Sequence, residues 1–430
     1  MRWAFCQGAE RTRQRHGYFG HMIVILYQDG CRDVAERTAS ELLKTFVDKV
    51  EVVLVAAETD TAWPTPVSWD DLLIVIFNAR AFPAPGSGFI ATYFKTRPDS
   101  AQFLPVASDP ASRKPPEPAA AIKALEYDAS VSNPTARLVT RAGGMLGLRL
   151  QGRDSKIFIS YRAKDGTTIA RQIYDYLVTL GHRPFLDEAK EFDGDTKILP
   201  GKPVQKEIDQ ALKNANLVLL IDTPSAPDSP WIKHEVDTAD ALLLPILPIC
   251  FRDAGDSRRG PRFRSLLDLQ RWIQIVTPPA TADPPLDVAQ LELIVGEAEK
   301  YLCETFRRKC RVPSVVEKEF VDHGFIWKVL DKNLLMFESS KDRNARLRIT
   351  VKSHCSLFDQ IYSPAIKRFD EFLKSSGRGN YSLFIYDGEL LPAPQLEEIV
   401  KSHSEDVIIL HHQELAALID SEFTVLGALV

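Results

Sequence analysis

Short, almost continuous apolar runs rich in β-branched residues recur along this chain, separated by stretches with helical periodicity. Such runs suit strands covered on both faces, the condition of a parallel sheet with helices packed on either side. Strands that alternate with helices connect by right-handed crossovers and make a doubly wound α/β fold. The pattern is sharpest over about 154–276, where KIFISY (156–161), HRPFLDE (182–188), LVLLID (217–222), LLPILPICF (243–251) and WIQIV (272–276) are predicted strands. Helices are predicted over 167–180, closed by Gly181, over 204–215, and after the loop that ends at Pro230.

Two proline-rich stretches, 109–118 (DPASRKPPEP) and 277–285 (TPPATADPP), would break a helix or a central strand and read as linkers or surface loops. They divide the chain into three blocks. The expected organisation is a tail or over-called start at 1–21, ahead of Met22, then an N-terminal α/β domain over 22–128 and a connecting helix over 129–153. The central domain follows over 154–276, then a linker and charged helix over 277–310, and a C-terminal α/β domain over 311–430. In the first block MIVILY (22–27), VEVVLVAAE (50–58) and DLLIVIF (71–77) are strands, and 32–47 is an amphipathic helix. In the last, strands are predicted at 326–331, 334–339, 345–352, 381–388 and 407–411, with helices at about 360–375 and 413–419.

Composition excludes several classes. The 45% hydrophobic and 26% charged fractions argue against a disordered or fibrous chain. A net charge of −5 supplies no overall positive field to hold nucleic acid or anionic lipid. The longest apolar runs fall short of the roughly 20 residues of a membrane-spanning helix. The six cysteines form no C-x-x-C pair and no zinc-like spacing, so reduced thiols in a cytoplasmic protein without a bound metal are expected.

Three motifs in the central block carry a family resemblance. Phe158-Ile159-Ser160-Tyr161, followed by Arg162-Ala163-Lys164-Asp165, resembles the first motif of the Toll/interleukin-1 receptor (TIR) domain family. Leu199-Pro200-Gly201 resembles the Pro-Gly of that family's BB loop, although DGDTKIL (193–199) stands where receptor-type members have an Arg-Asp pair. Ser229-Pro230-Trp231-Ile232-Lys233-His234-Glu235 resembles the Trp-x-x-x-Glu helix start of the enzymatically active branch. The resemblance implies a flavodoxin-like doubly wound TIR domain, flanked here by two further α/β or α+β domains. It also implies cleavage of the nicotinamide–ribose bond of NAD+ as substrate, with no cofactor.

The residue chemistry agrees with that implication. Trp231 and Glu235 are spaced i, i+4 on a helix whose first turn suits Pro230, so they are expected on one face. A carboxylate facing the ribose stabilises an oxocarbenium-like transition state, which makes Glu235 the expected catalytic residue. Ser160, Tyr161 and Arg162, at the carboxyl end of the first strand of the block, lie where such sheets present ligand contacts; with Trp231 they are the expected substrate-binding residues. Arg162 is suited to pyrophosphate. The resemblance further implies self-association through TIR–TIR contacts, an effector role in prokaryotic antiviral immunity, and a nucleotide or protein activator. Two other readings stand beside it: an adaptor that only scaffolds partners, and a nucleic-acid sensor working through the last block, which faintly resembles degenerate restriction-endonuclease-like folds. Block one, with no Trp-x-x-x-Glu after its third strand, reads as a non-catalytic relative of the central domain.

Overall fold

The computed structural model describes residues 21–47, 49–64, 71–97, 101–109, 114–130, 132–148, 156–186, 204–241, 244–253, 255–263, 271–277, 285–323, 325–331, 334–339, 346–351, 382–386 and 407–420. They fall into two compact units. One covers His21–Leu42 and Val52–Phe306; the other includes Leu43–Glu51 and Arg307–Val430.

The first unit holds two parallel sheets. The strands of the first are β1 (Met22–Tyr27), β2 (Glu51–Ala56), β3 (Leu72–Phe77), β4 (Gln102–Ala107) and β5 (Leu125–Glu126), with helices α1 (Arg32–Thr45), α2 (Ala84–Thr96) and α3 (Pro134–Gly147). Their spatial order is β2-β1-β3-β4-β5. In chain order the proline-rich run at 109–118 therefore falls between two paired strands of one sheet, β4 and β5. α3 adds to the same domain: Leu138, Val139 and Ala142 are buried along it, and the Met145 carbonyl accepts a hydrogen bond at 2.7 Å from Gln102 Nε2 on β4.

The second sheet is built from β6 (Lys156–Ser160), β7 (Pro184–Leu186), β8 (Ala215–Asp222), β9 (Ile246–Asp253) and β10 (Ile273–Thr277), with helices α4 (Ala163–Thr179), α5 (Val204–Lys213), α6 (Pro230–Ala241) and α7 (Val288–Asp322). Its order is β7-β6-β8-β9-β10, all parallel. Counted from its own first strand, each sheet runs second-first-third-fourth-fifth, so the same flavodoxin-like topology occurs twice. Strand alternation sends Ile157, Ile159 and Tyr161 into a core with Ile169, Ile173 and Leu177 of α4 and Ile294, Val295 and Leu302 of α7. Phe158, Val218 and Leu220 enter the opposite core with Ile208 of α5 and Ile232 and Val236 of α6. α7 is thus part of this domain's helix layer, and it continues past 310, the sequence-based limit, to Asp322.

The helix layers of the two sheets meet at α3 and α7. Gly144 and Gly147 allow the approach: a Cβ on Gly147 would lie 2.5 Å from the Leu302 carbonyl oxygen. At the crossing, Glu299 of α7 takes Arg141 Nε of α3 at 2.6 Å and His182 Nε2 at 3.0 Å, all three side chains being buried. Burial pushes the Glu299 carboxyl up, but the His182 hydrogen bond and the Arg141 charge outweigh it and hold the group below its ordinary 4.5.

In the other unit, β11 (Phe325–Asp331), β12 (Leu334–Ser339), β13 (Arg346–Val351), β14 (Ser382–Tyr386) and β15 (Val407–His411) make a mixed sheet in sequential order. The first two pairings are antiparallel and the last two parallel. A last helix, α8, spans Leu415–Asp420. The helix expected at about 360–375 lies outside the described residues. Among those residues no helix is long and apolar enough to cross a membrane, and no group of three or more His, Cys, Asp or Glu is placed to hold a metal. Cys31, Cys250, Cys303 and Cys310 are buried.

Candidate functional site

The carboxyl ends of β6 and β8 flank the point where the order of the second sheet reverses, the place at which doubly wound sheets bind ligands. Alternation along β6 decides which residues reach it. Tyr161 follows Ile157 and Ile159 into the α4 core and is 1% exposed, so its ring packs the interior instead of facing a ligand as expected. Ser160 points to the opposite face, toward α6.

α6 starts as the sequence indicates. Pro230 is its first residue, and Ser229 before it accepts from the Lys233 amide through its carbonyl (3.1 Å) and from the Ile232 amide through its hydroxyl (3.5 Å). The core-facing stripe of the helix is Ile232, Glu235, Val236 and Ala239. A carboxylate occupies one of its four places. Glu235 is 1% exposed, and Ser160 Oγ donates to Glu235 Oε2 at 2.6 Å, joining residues 75 apart in sequence. The buried polar group is thereby satisfied and its orientation fixed. Trp231 is 47% exposed. The i, i+4 pair does not share an environment, because the carboxylate lies within the buried stripe and the indole at its edge. His234 turns to Asp209 of α5, with Nε2 3.1 Å from the carboxylate oxygen.

Arg162, the expected pyrophosphate contact, reaches the loop that follows β8. Its Nη1 donates to the Ser225 carbonyl and lies 3.7 Å from Asp228 Oδ2. Three residues on, Asp165 accepts from Thr223 Oγ1 at 2.8 Å and from the Ser225 amide at 3.1 Å. Asp222, immediately before this loop, is fully buried and bound by Arg252 Nη2 (3.2 Å) and the Arg262 amide (2.9 Å). Burial and the Asp222 charge push the neighbouring Cys250 thiol up to about 12. Sequence reasoning assigned no role to Asp165 or to this network. Leu199, Pro200 and Gly201 lie outside the described residues.

The TIR domain family model matches residues 157–283. This segment is a TIR domain. Three-motif resemblance, family match and sheet topology coincide over it. Among solved structures, a chain described as the C-terminal domain of glucosamine-fructose-6-phosphate aminotransferase from Francisella tularensis is similar at 9% identity. That match covers 69% of this chain and 86% of that chain with a TM-score of 0.18, too slight to bear on function. No curated protein matches the chain.

The first sheet supplies an internal comparison for the TIR domain. The buried stripe of α2, which follows β3 as α6 follows β8, is Gly86, Phe89, Ile90 and Tyr93, with the same spacing as 232, 235, 236 and 239. Phe89 occupies the place of Glu235. On β1, Leu26 faces the α2 core as Ser160 faces α6. The polar pair of the TIR domain is an apolar pair in its topological counterpart.

Proposed function

We propose that the TIR domain cleaves the nicotinamide–ribose bond of NAD+, with Glu235 as the catalytic carboxylate. The observation that supports this reading is the Glu235 carboxylate, buried at the switch point of the sheet and oriented by the Ser160 hydroxyl at 2.6 Å. As the C1′–N bond breaks, its electron pair leaves with nicotinamide as a neutral base and positive charge develops on the ribose ring. A fixed carboxylate in a desolvated crevice is worth more to that charge than one in water. Water then bonds to C1′ and releases a proton to solvent, giving ADP-ribose. Where a nitrogen of the adenine takes the place of water, the product is cyclic.

Exposure of only 1% leaves the carboxylate covered in this state. That supports a latent form which opens on self-association, as an effector of antiviral signalling in a prokaryotic cytoplasm would require. The test is mass-resolved NAD+ turnover by the full chain and by Glu235→Ala at high protein concentration. Nicotinamide and ADP-ribose should appear with the wild type alone, and turnover by the variant at the wild-type rate overturns the assignment. Self-association without any loss of NAD+ would instead favour a scaffolding TIR adaptor.

A further inference from the structure

The loop between β8 and α6 decides where Glu235 stands, and it is gripped from one place. Ser225 is held at both of its backbone groups by the first turn of α4: Arg162 Nη1 donates to its carbonyl, and Asp165 Oδ2 accepts from its amide at 3.1 Å. The other oxygen of Asp165 accepts from the Thr223 hydroxyl at 2.8 Å. Asp165 is 8% exposed, and its bond from the Thr223 hydroxyl is buried, where a hydrogen bond holds geometry best.

From Ser225 the chain runs without slack to the catalytic helix. The Ala226 amide donates to the Thr223 carbonyl (3.2 Å), Asp228 to Ser225 (3.1 Å) and Ser229 to Ala226 (3.1 Å), which makes a single 3-10 turn over Ala226–Asp228. Ser229 then caps α6, and Glu235 lies about 1.7 turns further on. Ser160, the partner of Glu235, stands two residues before Arg162. The two halves of the Ser160–Glu235 pair are therefore fixed to each other through Asp165 and Arg162.

We propose that Asp165 is a positioning residue for the reaction: by clamping Thr223 and Ser225 to the start of α4, it sets the register of α6 and with it the Ser160–Glu235 contact. This rests on the glycohydrolase reading above. A side chain that only supported the fold would alter stability; one that positions a reacting group alters kcat, since a displacement of about 1 Å can cost roughly 10²-fold.

The experiment compares Asp165→Ala, Asp165→Asn and Thr223→Val in the full chain, reading kcat and KM for NAD+ beside hydrogen exchange over 223–236. Alanine removes both acceptors and should lower kcat by about 10- to 100-fold with KM little changed. Asparagine can still accept from the Ser225 amide and donate to the Thr223 hydroxyl, which reverses its role, so most of kcat should return. Thr223→Val removes one bond without changing shape and should fall between them. Exchange over 223–236 should quicken in Asp165→Ala and return toward the wild type in Asp165→Asn. An unchanged kcat in Asp165→Ala, equal losses in Ala and Asn, or a loss carried by KM alone would overturn the proposal. If the wild type consumes no NAD+, the glycohydrolase reading fails by itself and exchange decides the clamp: equal rates in Asp165→Ala and wild type then overturn it.

Discussion

Gly147, where α3 meets α7, should tolerate no side chain. A Cβ there would meet the Leu302 carbonyl oxygen at 2.5 Å, the Leu302 carbonyl carbon at 3.0 Å and Leu302 Cβ at 3.2 Å. Two of these three atoms are backbone, so no rotamer change relieves the contact. Ordinary contact begins near 3.4 Å, and the helices would have to part locally by about 0.9 Å. Overpacking of this kind costs about 1–3 kcal/mol. Parting the helices also stretches the Arg141–Glu299 contact and the 2.9 Å bond from Asn216 Nδ2 to the Gly147 carbonyl, both buried. Against this, replacing Gly by Ala in a helix recovers about 0.5–1 kcal/mol. A net loss of about 2 kcal/mol is expected for Gly147→Ala, or a Tm lower by roughly 4–8 °C for a unit of this size. Gly296 of α7 is the control: nothing lies within 4 Å of its Cβ position, so Gly296→Ala should raise stability by about 1 kcal/mol. Thermal unfolding followed by circular dichroism reads both. A Gly147→Ala variant that unfolds at or above the wild-type temperature would refute the close-approach argument.

Two further outcomes follow from buried groups. Glu299 titrates below 4.5 in the folded state, so its contribution is fully present above that pH and is lost as the pH falls through the lower folded value. Glu299→Gln should therefore be less stable than the wild type near neutral pH, with the gap in urea midpoint narrowing as the pH falls below 4.5; a gap independent of pH would contradict the assignment. With its thiol raised to about 12, Cys250 should resist alkylation at mildly alkaline pH in the folded protein and react once urea unfolds it. Mass mapping of the alkylated peptides separates the two cases, and rapid native labelling would be inconsistent with its burial.

Much of the architecture could be read from apolar runs. β1 occupies the predicted 22–27, and β12 and β15 the predicted 334–339 and 407–411. β4 was hidden because Pro105 sits in its middle. The strand forms nonetheless, since Pro105 pairs in register with Val75 on one side while β5 reaches only Val106 and Ala107 on the other. α2 was hidden by poor helix formers: APGSGF opens it, and burial of Phe89, Ile90 and Tyr93 overrides propensity. In the site, Glu235 and Ser160 were legible as motif residues, but their mutual bond joins segments 75 residues apart and only the fold supplies it. The fate of Tyr161 was available from alternation, since its parity matches Ile157 and Ile159 and differs from that of Ser160. Asp165 left no periodic signal, because its partners lie 58 and 60 residues away on the other side of a crossover.

The repeated topology gives the chain its own reference state. At the place held by Phe89 in one half, the other half keeps a carboxylate, a group that adds no apolar packing and is costly to bury unless its hydrogen bonds are made. The same scaffold, carried twice in one polypeptide, accommodates the hydrocarbon solution and the polar one alike. Subtracting the first half from the second, position by position along one helix stripe, leaves Glu235 as its one ionisable residue, the point at which the two halves differ most in what they bury.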